Sequence, residues 1–215
     1  MLFDLIGTLL RVAEEQRPYW HAIGEALANE EHCDAKEFNA RYKSLRWEWH
    51  ESNIETPLRV RLAHFAQITD KECAKFEREF LNDYVQRSAV IGGVRDMLSH
   101  WQGIVPLGVV SNFFIAGAPK QLLAHHNLLR YFTFVVDSAE VGYRKPHSKI
   151  FGRALDSDDR GSINPGDAVM IGDNWHADIE GALAAGLRAA YFSPSGAKSS
   201  AVPVIRSWDE FRVAA

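Results

Sequence analysis

The chain has 215 residues, of which 47% are hydrophobic and 24% charged, and its formal net charge is −4. This length and composition predict a soluble globular protein with one well-buried core and a sizeable insertion, or with two small domains. The mildly acidic charge argues against binding to nucleic acid or to anionic membranes, and no apolar run approaches the roughly 20 residues that span a bilayer.

The first ten residues, MLFDLIGTLL, place Asp4 directly after a short apolar run. This pattern predicts a buried strand that ends in a carboxylate and is followed by a turn containing Gly7. No basic segment followed by an apolar stretch and a cleavage site is present here, so no signal peptide is predicted.

The stretch from about residue 13 to residue 88 has almost no strand signal. Its apolar residues recur three or four positions apart, which predicts about four amphipathic helices packed on one another. In the last helix Asp70 is the predicted N-cap, and one apolar stripe contains Cys73, Phe76, Phe80, Leu81 and Tyr84.

Cys33 and Cys73 are too few and too far apart in sequence to form a disulfide framework or a CxxC metal site. We expect two free thiols and, with them, a cytoplasmic location.

After residue 90 short apolar runs alternate with helical stretches. The predicted strands are VPLGVVSN, FTFVVDS, DAVMIGD, RAAYFS and VPVIRS, and a short helix with Ser207 and Glu210 in capping-box spacing closes the chain. Strands that alternate with crossover helices predict an α/β fold, a doubly wound parallel sheet whose first strand is LFDLIGTLL. The predicted core domain therefore comprises residues 1–12 and 90–215, and a helical-bundle domain, residues 13–89, is inserted into it.

Ligands of open α/β sheets bind at the carboxyl ends of the strands. The side chains at those ends are Asp4, the pair Ser111 and Asn112, and Asp173, with Lys145 in a neighbouring loop. We expect these residues to converge on one edge of the sheet.

The segment MIGDNWHAD is the most specific of these strand ends. Gly172 would permit a sharp turn, Asp173 would project from the strand, and Asp178 would follow one helical turn later. Two carboxylates at this spacing suit Mg²⁺, which takes oxygen ligands. Simpler interpretations remain open at this point, with Asn174 a helix N-cap and Lys145 a surface lysine.

Four segments resemble, in order, the four sequence motifs of the haloacid dehalogenase superfamily: FDLIGTLL, GVVSN, VGYRKPHSKIF and MIGDNWHADIEGALAAGL. The helical insertion between the first and second segments resembles the cap of one subgroup of that superfamily. The resemblance covers the whole chain and implies a hydrolase that acts through a covalent intermediate on an aspartate.

The resemblance also implies a role for each matching position. Asp4 would be the nucleophile, Ser111 would bind the transferring group, and Lys145 would keep Asp4 ionised. Mg²⁺ would be held by Asp4, Asp173 and the backbone carbonyl of Ile6, with Asp178 supporting the site. Substrate contacts would come from Ser111 together with Asn112, Gly7 and Thr8.

Ile6 departs from the phosphatases of this superfamily, in which the matching residue is an aspartate. That aspartate protonates the leaving alkoxide and then activates water. We therefore expect the Mg²⁺ site to survive in this chain and the acid/base group to be lost.

We expect a Mg²⁺-dependent phosphatase of a small phosphorylated metabolite, with weakened activity. One alternative is a 2-haloacid dehalogenase, in which Arg41 or Arg46 would bind the substrate carboxylate. A phosphonate hydrolase is related to it and needs one lysine of the insertion, which is Lys36, Lys43, Lys71 or Lys75. The remaining alternative is a non-catalytic relative that binds a ligand or a partner protein.

Overall fold

The structure, a computed structural model, describes residues 1–13, 36, 52–66, 69–159, 161–196 and 199–211. The predicted helices between residues 14 and 51, apart from residue 36, lie outside the described residues, and so does Cys33. None of the helices in the described ranges combines the length and the apolar character needed to cross a bilayer.

A six-stranded parallel sheet forms the core. Its strands are β1 (Leu2–Phe3), β4 (Gly108–Ser111), β5 (Phe134–Asp137), β6 (Val169–Gly172), β7 (Arg188–Phe192) and β8 (Val204–Ile205). Across the sheet they lie in the order β5-β4-β1-β6-β7-β8. They coincide with the apolar runs predicted from the sequence. The two residues of β1 lie between β4 and β6 and are buried, as expected for a strand covered on both faces.

Two helices belong to the segment before residue 88, α1 (Leu58–Ala66) and α2 (Asp70–Arg87). The helices that follow are α3 (Val94–Trp101), α4 (Ala118–His125), α5 (Ser138–Val141), α6 (Ser148–Leu155), α7 (Gly181–Ala184) and α8 (Trp208–Phe211), and apolar side chains pack on both faces of the sheet. Phe3 and Ile171 belong to the apolar core on one face, whereas Leu2 and Met170 belong to the core on the other. This alternation of neighbouring strand residues confirms the doubly wound α/β fold.

The register of the central strands positions the site. Phe3 pairs with Val109 on one side and with Ile171 on the other, and the backbone N–H of Asp4 donates to the carbonyl of Ile171 at 2.9 Å. Because the three strands run parallel, the residues that follow them emerge at the same edge of the sheet.

Two helix ends differ from their predicted form. The N-cap of α2 is Thr69 rather than Asp70, because the Thr69 hydroxyl accepts from the N–H of Glu72 and the Glu72 carboxylate accepts from the N–H of Thr69. In the predicted terminal helix, Ser207 accepts from the N–H of Asp209 at 3.1 Å, so the first turn closes one residue earlier than the spacing to Glu210 suggested. The predicted stripe of α2 does face inward, and its buried members are Cys73, Phe76, Phe80 and Leu81.

A two-stranded antiparallel ribbon joins the segment after β1 to the segment before α3. It joins β2 (Leu10–Val12) to β3 (Ser88–Val90), and the N–H of Ala13 donates to the carbonyl of Arg87 at 3.1 Å. We propose this ribbon as the junction between the core, residues 1–12 and 90–215, and the inserted domain, residues 13–89.

Candidate active site

The predicted edge of the sheet carries a small polar cavity of 210 Å³. Four elements contribute to its wall, which consists of Asp4, Ile6, Ser111, Asn112, Arg144, Lys145, Asp173, Asn174, Ala177 and Asp178. A larger, mainly apolar cavity of 790 Å³ lies elsewhere, beside β7 and β8, and contains none of these residues. The small cavity is the candidate site because it collects the ionisable groups.

Lys145 lies at the centre of this group and is only 2% exposed. Its Nζ donates to Asp4 Oδ1 and to the carbonyl of Val110, each at 2.7 Å, and lies 2.6 Å from Asp178 Oδ1. The contact with Asp178 is an ion pair between two fully buried groups. The buried ammonium of Lys145 therefore forms ion pairs with two buried carboxylates, those of Asp4 and Asp178.

Asn112 holds the backbone around Lys145. Its side-chain oxygen accepts from the N–H of Lys145 at 2.7 Å, and its amide nitrogen donates to the carbonyl of Lys145 at 3.0 Å. Both ends of the side chain are therefore engaged, which favours a positioning role for Asn112 over the predicted substrate contact.

Asp178 is held by the turn that follows β6. Its Oδ2 accepts from the N–H of Asn174 at 2.9 Å, within a π-helical turn over Trp175–Glu180. Asn174 is also the N-cap of that turn, accepting from the N–H of Ala177 at 2.9 Å. A Cβ at Gly172 would collide with the Asp178 carboxylate, so glycine is required here for close packing as well as for the predicted turn.

Gly7 and Thr8 support Asp173. Gly7 has φ +92°, and a Cβ at this position would also collide with the Asp173 carboxylate. Thr8 is fully buried, and its hydroxyl donates to Asp173 Oδ1 at 3.3 Å. These contacts differ from the predicted substrate-binding role and instead orient a carboxylate.

Ile6, from the first predicted motif, and Ser111, from the second, both line the cavity. Ser111 is the last residue of β4 and is 1% exposed, while Ile6 is half-buried and packs against the apolar core. Sequence reasoning missed Arg144, which also lines the cavity. The only available signal for it was its position next to Lys145.

Burial and the proximity of three carboxylates shift the pKa values of the ionisable groups in the site. Burial raises the pKa of Asp4 to about 7 against the opposing effect of Lys145, and burial and Asp178 raise the pKa of Asp173. Burial alone would lower the pKa of Lys145, but the carboxylates of Asp178 and Asp4 raise it above its ordinary value. Ligand oxygens of Asp4, Asp173 and Asp178 lie within 4.8 Å of one another, so the cluster carries an excess of negative charge.

We expect the contribution of Asp4 to the stability of the metal-free protein to decrease as pH rises from about 4 to about 7. Between the ordinary pKa of Asp4, 3.8, and its raised pKa of about 7, the folded state keeps a proton that the unfolded state has released. The contribution of Asp4 to the free energy of unfolding therefore decreases with pH across that window.

Denaturant titrations with chelator, on wild type and on Asp4→Asn, would measure this contribution. The stability of wild type relative to the variant should decrease toward pH 7, because the asparagine amide does not titrate. A difference that stays constant across the window would contradict the raised pKa of Asp4.

The fold is a doubly wound parallel α/β sheet, and at the carboxyl edge of its strands three carboxylates lie around one buried lysine. The sequence matches the haloacid dehalogenase-like hydrolase family over residues 1–186, and the chain belongs to that family. The resemblance noted in the sequence is thereby confirmed.

Individual relatives agree with this assignment. The pyrimidine 5'-nucleotidase YjjG of Escherichia coli is 29% identical over 157 residues, which cover 72% of this chain and 68% of that protein. A HAD phosphatase from Thermococcus onnurineus superposes with a TM-score of 0.70 at 23% identity, covering 99% of this chain and 95% of that one. A 2-haloacid dehalogenase from Pseudomonas syringae superposes with a TM-score of 0.66 at 21% identity, covering 98% of this chain and 94% of that one. The two structural matches establish the fold and leave the reaction open.

Proposed function

We propose that this chain is a Mg²⁺-dependent phosphohydrolase that uses Asp4 as its nucleophile. The observation that carries the proposal is the contact between Asp4 Oδ1 and the Lys145 ammonium at 2.7 Å, beside two further carboxylates in a polar cavity. Lys145 aims the Asp4 oxygen and favours its ionised form against burial, and the positive charge of a bound divalent cation would favour that form further.

The proposed reaction has two steps. An Asp4 oxygen attacks phosphorus, the ester P–O bond breaks, and the alkoxide leaves with the bonding electrons and takes a proton from water. A water molecule then attacks the phosphorus of the aspartyl phosphate, its protons pass to the phosphate and to solvent, and the bond between phosphorus and Asp4 breaks to restore the carboxylate. Lys145 offsets the negative charge at Asp4, while the Ser111 hydroxyl binds a phosphoryl oxygen.

The acidic cluster fits a hard divalent cation. Carboxylate oxygens are the ligands that Mg²⁺ prefers, and the raised pKa values of Asp4 and Asp173 indicate that a positive charge would be favourable beside them. Asp4, Asp173 and the carbonyl of Ile6 would hold the ion, with Asp178 directed toward Lys145. When bound, Mg²⁺ would supply positive charge to the phosphoryl group.

The substrate class is a small phosphorylated metabolite. The site cavity of 210 Å³ suits a phosphoryl group and a limited part of its ester, and Arg144 adds a cationic side chain to its wall. The nucleotidase activity named for the Escherichia coli relative is of this general class and also supports the proposal.

Ile6 supports a second candidate. Its side chain lines the cavity where the family's phosphatases carry an acid/base aspartate, and a halide leaves without needing a proton. A 2-haloacid dehalogenase, or the related phosphonate hydrolase, is therefore the alternative reaction for this site. The three clustered carboxylates favour the metal-dependent phosphatase.

We expect Mg²⁺ to bind the wild-type protein and to bind far more weakly to Asp173→Asn. The variant removes one anionic ligand but keeps the shape of the side chain and an oxygen near Thr8. Isothermal titration calorimetry would measure both affinities, and Asp167→Asn, at an exposed position, is the matched control. Equal affinity in wild type and Asp173→Asn, or no binding in either, would contradict this metal site.

A further inference from the structure

A second buried polar cluster lies between the insertion and the core. It comprises Glu55 and Arg61 from the insertion and Ser138 from α5, and these residues are 4%, 5% and 0% exposed. Arg61 Nη2 donates to Glu55 Oε1 at 2.7 Å, and Ser138 Oγ donates to Glu55 Oε2 at 2.8 Å. We refer to these three residues as the Glu55 cluster.

The Glu55 cluster reaches the loop that follows Ser111. Ser138 Oγ accepts from the backbone N–H of Phe113 at 2.9 Å, so its hydroxyl connects that loop to the Glu55 carboxylate. The N–H of Leu58 also donates to the carbonyl of Phe114 at 2.7 Å. The insertion therefore contacts this loop through both a side chain and the backbone.

The same segment of the insertion pairs with the loop that leads to Lys145. The N–H of Glu55 donates to the carbonyl of Gly142 at 3.1 Å, and the N–H of Arg144 donates to the carbonyl of Asn53 at 2.9 Å. Residues 53–61 thus hold the two loops from which Ser111 and Lys145 enter the site.

Attaching the insertion through a buried ion pair requires the desolvation of two charges, which costs free energy. Apolar side chains of similar volume often stabilise a protein as well or better, because they avoid the desolvation of two charges. Hydrogen bonds differ from apolar contacts in having a direction. Here the carboxylate of Glu55 accepts from both Arg61 and Ser138, and its charged oxygen at 2.8 Å draws the Ser138 hydroxyl away from its other acceptor, the carbonyl of Phe113 at 3.2 Å.

We propose that Glu55 and Arg61 are positioning residues for the active site. They orient Ser138 and, through it, the loop behind Ser111, while the backbone of the same segment holds the loop before Lys145. The expected effect on rate rests on the phosphohydrolase function proposed above. The positioning itself is measurable without activity, at the backbone amide of Phe113.

The test replaces the charges with apolar side chains in Glu55→Leu/Arg61→Met. The control is Glu77→Leu/Arg59→Met, which removes a more exposed ion pair of the same insertion, also at 2.7 Å. We expect the Glu55 variant to melt near the wild-type temperature and its Phe113 amide to exchange hydrogen faster. With an aryl phosphate and Mg²⁺, phosphoryl transfer should slow by up to about 10²-fold with little change in KM. The control should resemble wild type in all of these measurements.

A folded Glu55→Leu/Arg61→Met protein with wild-type exchange at Phe113 and a wild-type rate would overturn the proposal. Should that variant fail to fold, Glu55→Gln decides by the same two measurements, because an NH2 group, which donates, replaces one of the two oxygens that accept from Arg61 and from Ser138. If wild type releases no phosphate from any ester, the phosphohydrolase proposal fails, and exchange at Phe113 alone decides whether the Glu55 cluster positions the loop.

Discussion

Replacing Ile6 with aspartate is expected to raise the turnover of an alkyl phosphate by about 10²–10⁴-fold, the usual contribution of general acid–base catalysis. This corresponds to about 3–5 kcal/mol of activation free energy. The leaving group of an alkyl phosphate is a strongly basic alkoxide, so its departure gains the most from a proton donor. The leaving group of an aryl phosphate is a phenolate, which is a weaker base, so the first step should gain less.

The gain has a structural basis, since Ile6 lines the cavity that contains Asp4. A carboxyl group at this position could donate to the leaving oxygen and afterwards activate water. Steady-state rates on alkyl and aryl phosphates with Mg²⁺, in wild type and Ile6→Asp, would measure it.

Ile6→Asn is the matched control, because it has nearly the same shape and cannot transfer the proton. Ile6 also packs against the apolar core, and burial of an unpaired carboxylate is costly, so thermal melts must precede the comparison of rates. A well-folded Ile6→Asp protein that is no faster than Ile6→Asn on any phosphate ester would contradict the acid/base interpretation.

Replacing Lys145 with methionine is expected to destabilise the protein by about 3–5 kcal/mol at neutral pH, as for other buried ion pairs that lose one partner. The change leaves Asp4 and Asp178 buried without their shared ammonium. The folded state must then retain protons that the unfolded state has released, so the loss of stability should increase with pH. Denaturant unfolding at acidic and neutral pH would measure both effects.

Lys120→Met is the control for this substitution, since its ammonium is half-exposed and lies 3.9 Å from Glu140. A change within about 1 kcal/mol is expected there. If Lys145→Met were as stable as Lys120→Met at neutral pH, the buried charge arrangement around Asp4 would be wrong.

The strands and the site edge could be predicted from sequence because their signals are local. Each buried strand appears as one apolar run, and parallel strands necessarily bring Asp4, Ser111 and Asp173 to the same edge. Lys145 could be predicted as a site residue only from the motif that contains it, because apolar periodicity does not show where a side chain in a loop points.

The contacts of the supporting residues could not be predicted, because they depend on packing between distant segments. The requirement for Gly172 arises from the position of the Asp178 carboxylate, and Thr8 contacts Asp173 across 165 positions of sequence. Glu55 and Ser138 are separated by 83 positions and carry no motif. Such pairs become visible only when the chain is folded.

Rapid-quench labelling of the wild-type protein with a radiolabelled aryl phosphate and Mg²⁺ tests the central proposal most directly. Asp4 should acquire an acyl phosphate that is stable in acid and cleaved by hydroxylamine, in a burst that precedes slow release of phosphate. Because Ile6 supplies no base for hydrolysis, the label should accumulate in wild type and decrease in Ile6→Asp. No label on Asp4, together with metal-independent release of halide from a 2-haloacid, would contradict the phosphohydrolase account and support the dehalogenase instead.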